Sequence, residues 1–127
     1  MRKIKPSLVP AIAWFIISTI LFTLPGSALP QENWLDRIWF DKWVHTTLFF
    51  FMMLFWCWGI SGKIKPTQKA ATIFFYIMII WILYGVAIEF IQRWFIPNRS
   101  FDPGDIVADA IGCVGGFFFS RRRYIKK

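Results

Sequence analysis

The chain has a single histidine, His45, which stands four residues after an aspartate in Asp41-Lys42-x-x-His45. Residues four apart share a helix face. Asp41 would then stack beside the imidazole, orient it and favour its charged form. The plain alternative is an ordinary helix start with an interfacial histidine. Two further clusters place ionisable or amide groups at helical spacing. In Glu89-x-x-Gln92-Arg93, with Gly85 one turn earlier, a small residue shares a stripe with a carboxylate and an amide. In Arg99-x-x-Asp102-x-x-Asp105-x-x-x-Asp109-x-x-Gly112-x-x-x-Gly116, one helix face carries Asp105, Asp109, Gly112 and Gly116. Small residues every fourth position let backbones pack closely in lipid, so this face both packs inward and points two carboxylates into a bundle.

The chemistry such groups offer is proton transfer and headgroup binding. His45, with Asp41 or Glu89, could handle protons, and Asp109, one turn deeper than Asp105, could act as a neutral acid. Lys42 and Arg99 suit an anionic headgroup, with Gln92, Asp102 and Asp105 completing the ligand contacts. His45 and several carboxylates could bind Mg²⁺ or Zn²⁺, but no ligand spacing is diagnostic of a metal. No metal ligand is assigned on sequence, and the cofactor is unknown. The plain readings are a solvated helix end for the Glu89 cluster and a packing hydrogen bond for Asp109.

The elements that must position these groups are read from hydropathy. The 127 residues are 57% hydrophobic and 20% aromatic, too apolar for a soluble domain of this size. The apolar residues come in four runs: Leu8 to Leu24, Trp43 to Ile60, Ala70 to Ile88 and Ile106 to Ser120. A hydrocarbon core requires roughly 20 helical residues, with ~17 the lower end. It also requires every backbone group to be bonded within its own segment. The expected fold is therefore all-α: one four-helix transmembrane domain over residues 1–127, with helices at about 8–24, 41–60, 69–93 and 105–121. No soluble domain, internal repeat or Gly-rich phosphate loop is evident.

Charge orients that bundle. The acids gather in and around two segments: Glu32, Asp36 and Asp41 between runs one and two, and Glu89, Asp102, Asp105 and Asp109 about runs three and four. Eleven of the fifteen basic residues lie in the other three polar segments (Arg2, Lys3, Lys5; Lys63, Lys65, Lys69; Arg121, Arg122, Arg123, Lys126, Lys127), leaving Arg37, Lys42, Arg93 and Arg99 beside the acids. Basic residues in short loops are retained inside. Both termini are therefore expected in the cytoplasm, with the acids on the outer face. The net charge of +8 is spread as membrane topology demands, which argues against a nucleic-acid partner. Residues 25–40 mix Pro30, Trp34, Trp39 and charges, as expected of a short interfacial helix. The first helix is a plain packing anchor in this reading, although Gly26-Ser27-Ala28 also resembles a signal cleavage site. Cys57 and Cys113 lie in apolar runs and read as buried thiols.

Taken in order, Asp41-Lys42-x-x-His45, Glu89-x-x-Gln92, Arg99 and Asp105-x-x-x-Asp109-x-x-Gly112-x-x-x-Gly116 resemble the VanZ-like family of small bacterial membrane proteins, over roughly residues 41 to 116. Family members often carry Asn where this chain has Asp109, which adds a negative charge. The resemblance implies a multi-pass protein of the bacterial cytoplasmic membrane and, through the family's namesake, resistance to the glycopeptide teicoplanin. The leading expectation is a polar outer site that binds or modifies a membrane lipid or lipid-linked envelope precursor. The alternatives are a membrane-embedded acid–base or metal-assisted enzyme on a lipid headgroup, and a structural assembly protein without a catalytic site. A homo-oligomer is compatible with each.

Overall fold

The computed structural model describes residues 4–25, 40–97 and 101–125. They form four helices, with no strand among the described residues: α1 (Val9–Thr23), α2 (Phe40–Ser61), α3 (Gln68–Phe95) and α4 (Pro103–Tyr124). All but the two end residues of the expected interfacial helix (25–40) lie outside the described residues, as does Arg99.

Each helix starts and stops for a local reason. Pro10 occupies the first turn of α1, where a missing N–H breaks no hydrogen bond. α3 runs on through Arg93 to Phe95 and is followed by Pro97, whose ring cannot continue a helix. α4 begins two residues before the expected start. Asp102 caps it by accepting the Gly104 N–H at 2.8 Å, and Pro103 fills the first helical position.

α2 and α3 are long and apolar enough to cross a membrane, with mean hydropathies of 1.5 and 2.3. Only 39% and 28% of those stretches are buried inside the molecule. The core helix of a soluble protein would hide most of such a surface. Here Phe75, Tyr76, Ile80 and Leu83 of α3 and Trp43 of α2 stay exposed. Exposed apolar side chains of that kind are suited to lipid. α1 is shorter than the span length, and the aspartates of α4 lower its hydropathy.

Packing is tightest between α2 and α4, where glycines remove the side chain from the seam. A Cβ at Gly112 would run into the Thr46 carbonyl, and one at Gly116 would lie 2.6 Å from Met53 Cβ and 2.9 Å from the Phe50 carbonyl. Thr46 Oγ1 donates across the same seam to the Ala108 carbonyl at 3.3 Å. The core between the helices is Phe49, Met52, Met53, Phe74, Cys113 and their neighbours. Cys57 and Cys113 are buried free thiols. α1 is tied on by polar bonds as well as rings: Trp14 Nε1 donates to the Leu48 carbonyl at 2.9 Å, and Thr19 meets the Tyr84 hydroxyl at 2.5 Å.

Candidate functional site

The end of α1, the start of α2, the end of α3 and the start of α4 converge at one end of the bundle, and the ionisable groups converge with them. Lys42, in the first turn of α2, extends its ammonium into three carboxylates: Asp41 at 2.7 Å, Asp102 at 2.5 Å and Asp105 at 2.7 Å. Lys42 has three N–H donors, and each meets an acid. The ammonium beside Asp102, which lies outside the helices, holds that carboxyl below the usual carboxylate range.

One turn deeper, His45 Nδ1 lies 2.7 Å from Asp109 Oδ1, both side chains being buried. The other ring nitrogen, Nε2, faces Asp105 Oδ2 at 3.6 Å, too far for a hydrogen bond. The Phe22 ring of α1 sits over the imidazole with centroids 5.0 Å apart. Glu89 of α3 closes the remaining side. It is 0% exposed, and its Oε2 accepts the Asp102 backbone N–H at 3.1 Å. Its Oε1 is buried without a partner, as is Asp109 Oδ2. Gly85 makes room for Asp109: a Cβ there would stand 2.7 Å from Oδ2.

Ligand atoms of His45, Glu89 and Asp105 all lie within 4.8 Å of one another, as do those of Asp41, Asp102 and Asp105. Lys42 already occupies the second group with its ammonium. The first group contains no such cation among the described residues.

Seven residues named from sequence meet in this network: Asp41, Lys42, His45, Glu89, Asp102, Asp105 and Asp109. Their pairings differ from the expected ones in one respect. Asp41 is exposed and bridged to Lys42, while His45 is held by Asp109, 64 residues away. The reason is direction: the tight α2–α4 seam turns His45 toward α4, and Asp41 in the first turn stays at the rim. Gln92 is buried beside the network but donates to the Phe22 carbonyl at 2.9 Å. That carbonyl is among the last four of α1, which lack intrahelical partners. Gln92 thus caps α1.

Phe22 is the residue that sequence reasoning missed. α1 was expected only to anchor, yet its last turn supplies the ring over His45 and the carbonyl for Gln92. The available signal was position, since Phe22 lies at the same end of the bundle as His45.

Beside Lys42, a groove of about 530 Å³ runs between α2 and α4, lined by Lys42, Trp43, Thr46, Gly104, Val107, Ala108 and Ile111. Its wall is apolar apart from the Lys42 end and the Thr46 hydroxyl. Lys42 is the member of the polar network that lines this trough, whose remaining wall is formed by residues of α2 and α4.

The family model described as VanZ/LLP1 matches residues 4–124 of this chain. No curated protein and no solved structure matches it. The chain belongs to the VanZ/LLP1 family, and that membership together with its two apolar helices marks it as a membrane protein.

Proposed function

We propose that this VanZ/LLP1 protein crosses the bacterial cytoplasmic membrane four times, with both termini inside. In this reading its polar network faces outward and binds an envelope lipid or lipid-linked precursor. The distribution of charge supports the orientation: eleven of fifteen basic residues lie in the sequence before α1, about the α2–α3 turn, or from the last turn of α4 onward, in segments that carry no acid. The observation that carries the binding reading is the groove between α2 and α4. Its volume, about 530 Å³, is within the roughly 300–1,000 Å³ of ordinary ligand sites. Lys42 and Gly104 form one end and the rest is largely apolar, so it matches a molecule with a polar head and a hydrocarbon tail. The tail lies along Trp43, Val107 and Ile111, and the head lies at the Lys42–Gly104 end, beside the ammonium and the acids that hold it. Altered handling of a lipid-linked precursor is how such a protein would confer teicoplanin resistance.

Lipid retained by the purified protein tests this. Wild type should carry a head-group-selected lipid that Ile111→Trp, which fills the groove, loses. Leu83→Trp, on the exposed face of α3, should keep it. An identical lipid profile in all three would refute the groove.

A second reading is favoured by the buried His45–Asp109 pair at 2.7 Å. A carboxylate on Nδ1 fixes the tautomer and leaves Nε2 available to take a proton, the arrangement of a general base. An enzyme of this kind would turn over a labelled lipid catalytically, whereas a binder would protect it in proportion to its own amount.

A further inference from the structure

The geometry points to a divalent transition-metal site formed by His45 Nε2, Asp105 Oδ2 and the Glu89 carboxylate. Three observations carry it. First, His45 Nε2 and Asp105 Oδ2 face each other at 3.6 Å, too far to hydrogen-bond. Two donors bound at about 2.0–2.1 Å to one tetrahedral ion stand roughly 3.3–3.4 Å apart. The pair is therefore spaced for bridging through an ion. All three ligand groups fit within 4.8 Å, so closure on the ion requires shifts of at most about 1.5 Å.

Second, Glu89 is 0% exposed and no donor meets its Oε1, while its carboxyl faces that of Asp105. A buried carboxylate oxygen without a hydrogen bond is costly, and a cation on Oε1 removes that cost. Third, five carboxylates (Asp41, Glu89, Asp102, Asp105, Asp109) are linked through this network, against Lys42 and His45 among the described residues. With all five ionised, even a protonated His45 leaves the network short of positive charge, and Lys42 serves only the outer three acids.

The outer contacts match what a metal site requires of its support. His45 meets Asp109 through Nδ1, which leaves Nε2 free, the carboxylate–histidine arrangement that orients metal-binding imidazoles. Asp105 is held by Lys42 through Oδ1, leaving Oδ2, and Glu89 is held by the Asp102 N–H through Oε2, leaving Oε1. Each ligand is thus fixed by one atom and offers another. One imidazole and two carboxylates suit Zn²⁺ or Mn²⁺ better than Mg²⁺. Three protein ligands leave a position open. That position is where an anionic oxygen of a headgroup would bind, a role Lys42 cannot fill while its three donors hold acids.

This site deepens the lipid reading and rests on it for the occupant of the open position, but metal uptake is measured without any such occupant. The full chain in detergent micelles is loaded separately with Mn²⁺, Zn²⁺ or Co²⁺, desalted and assayed for metal. One tightly held ion per chain is expected, with nitrogen coupling from His45 in the Mn²⁺ electron spin-echo spectrum. Supporting residues alone typically contribute roughly 10–100-fold to affinity. Glu89→Gln and His45→Gln should therefore weaken binding by more than about 100-fold, and Lys63→Gln, in the exposed turn between α2 and α3, should leave it within a few-fold. Failure of wild type to retain any of the three ions would overturn the site. So would Mn²⁺ bound without nitrogen coupling, which needs no variant to fold. Metal uptake with unselective lipid content would refute the groove alone, and lipid selection by a metal-free protein would refute the metal alone.

Discussion

The seam between α2 and α4 holds the Lys42–Asp105 and His45–Asp109 pairs in register, and its tolerance can be worked out from Gly116 and its neighbour Gly115. A Cβ at Gly116 would stand 2.6 Å from Met53 Cβ and 2.9 Å from the Phe50 backbone oxygen. Ordinary carbon contacts are about 3.5–4.0 Å, so Gly116→Ala forces the helices apart by roughly 1 Å. The Phe50 oxygen is main chain and cannot swing aside. Overpacking of this kind costs about 1–3 kcal/mol. A Cβ at Gly115 would meet only the Phe50 ring, at 3.6 and 3.9 Å, which is normal contact. Both substitutions gain the same helix propensity, up to about 1 kcal/mol, so their difference isolates the seam. Gly116→Ala should be less stable than Gly115→Ala by about 1–3 kcal/mol, roughly 5- to 150-fold in the folded-to-unfolded ratio. Reversible unfolding in mixed micelles, followed by circular dichroism, measures that difference. Equal stability of the two variants would show that the α2–α4 approach is not fixed at this glycine.

Other perturbations separate the roles of individual groups. Asp109→Ala strips the buried His45 of its partner and should cost about 3–5 kcal/mol, while Asp109→Asn, which keeps an acceptor on Nδ1, should cost much less; equal losses in the two would mean the pair is not what holds the imidazole. Tyr84→Phe removes the hydroxyl that meets Thr19 at 2.5 Å and should cost about 0.5–1.5 kcal/mol in the same unfolding assay. Thr19→Val should match it and add nothing further in the double variant. Asp102 has a folded-state carboxyl pKa depressed mainly by its hydrogen bond from Lys42. Its contribution to stability is therefore complete above the unfolded value, about 3.9, and is lost as pH falls through the lower folded value. Asp102→Asn should flatten the acid limb of a stability–pH curve, and an unchanged limb would place Asp102 outside the linkage.

What could be read in the sequence follows from helical geometry. The spacing of Asp105, Asp109, Gly112 and Gly116 put acids and small residues on one face, and that face is the buried one. Gly85, Glu89 and Gln92 likewise share the buried stripe of α3. Partner choice was not legible, because it depends on how helices far apart in the chain meet. Asp41 is four residues from His45, yet the seam glycines bring Asp109 to the imidazole instead. Nor could periodicity reveal that Gln92 caps α1 at Phe22, since a helix's orphan carbonyls find partners only once the bundle has assembled. The groove beside Lys42 is a tertiary feature for the same reason. Its lining residues come from α2 and from α4, including Gly104 in the first turn of α4.

If the chain spans the membrane four times, as proposed, the two aspartates of α4 also bear on how it enters the bilayer. An aspartate near the centre of an inserting helix costs about 2.5–3.5 kcal/mol, and α4 carries Asp109 a turn inside Asp105, with glycines at 112, 115 and 116 adding little to offset it. In isolation the segment is a poor candidate for partitioning out of the translocon. Lys42 and His45 of α2 and the space above Gly85 of α3 neutralise and accommodate those acids. Biogenesis should then be ordered, with α2 and α3 waiting beside the exit site until α4 arrives. A glycosylation-tag reporter should show α4 spanning in the full chain and failing to span once residues 40–61 are replaced by polyleucine. The same charged contacts would thus serve twice, as recognition surface in the mature protein and as the docking signal that admits its last helix.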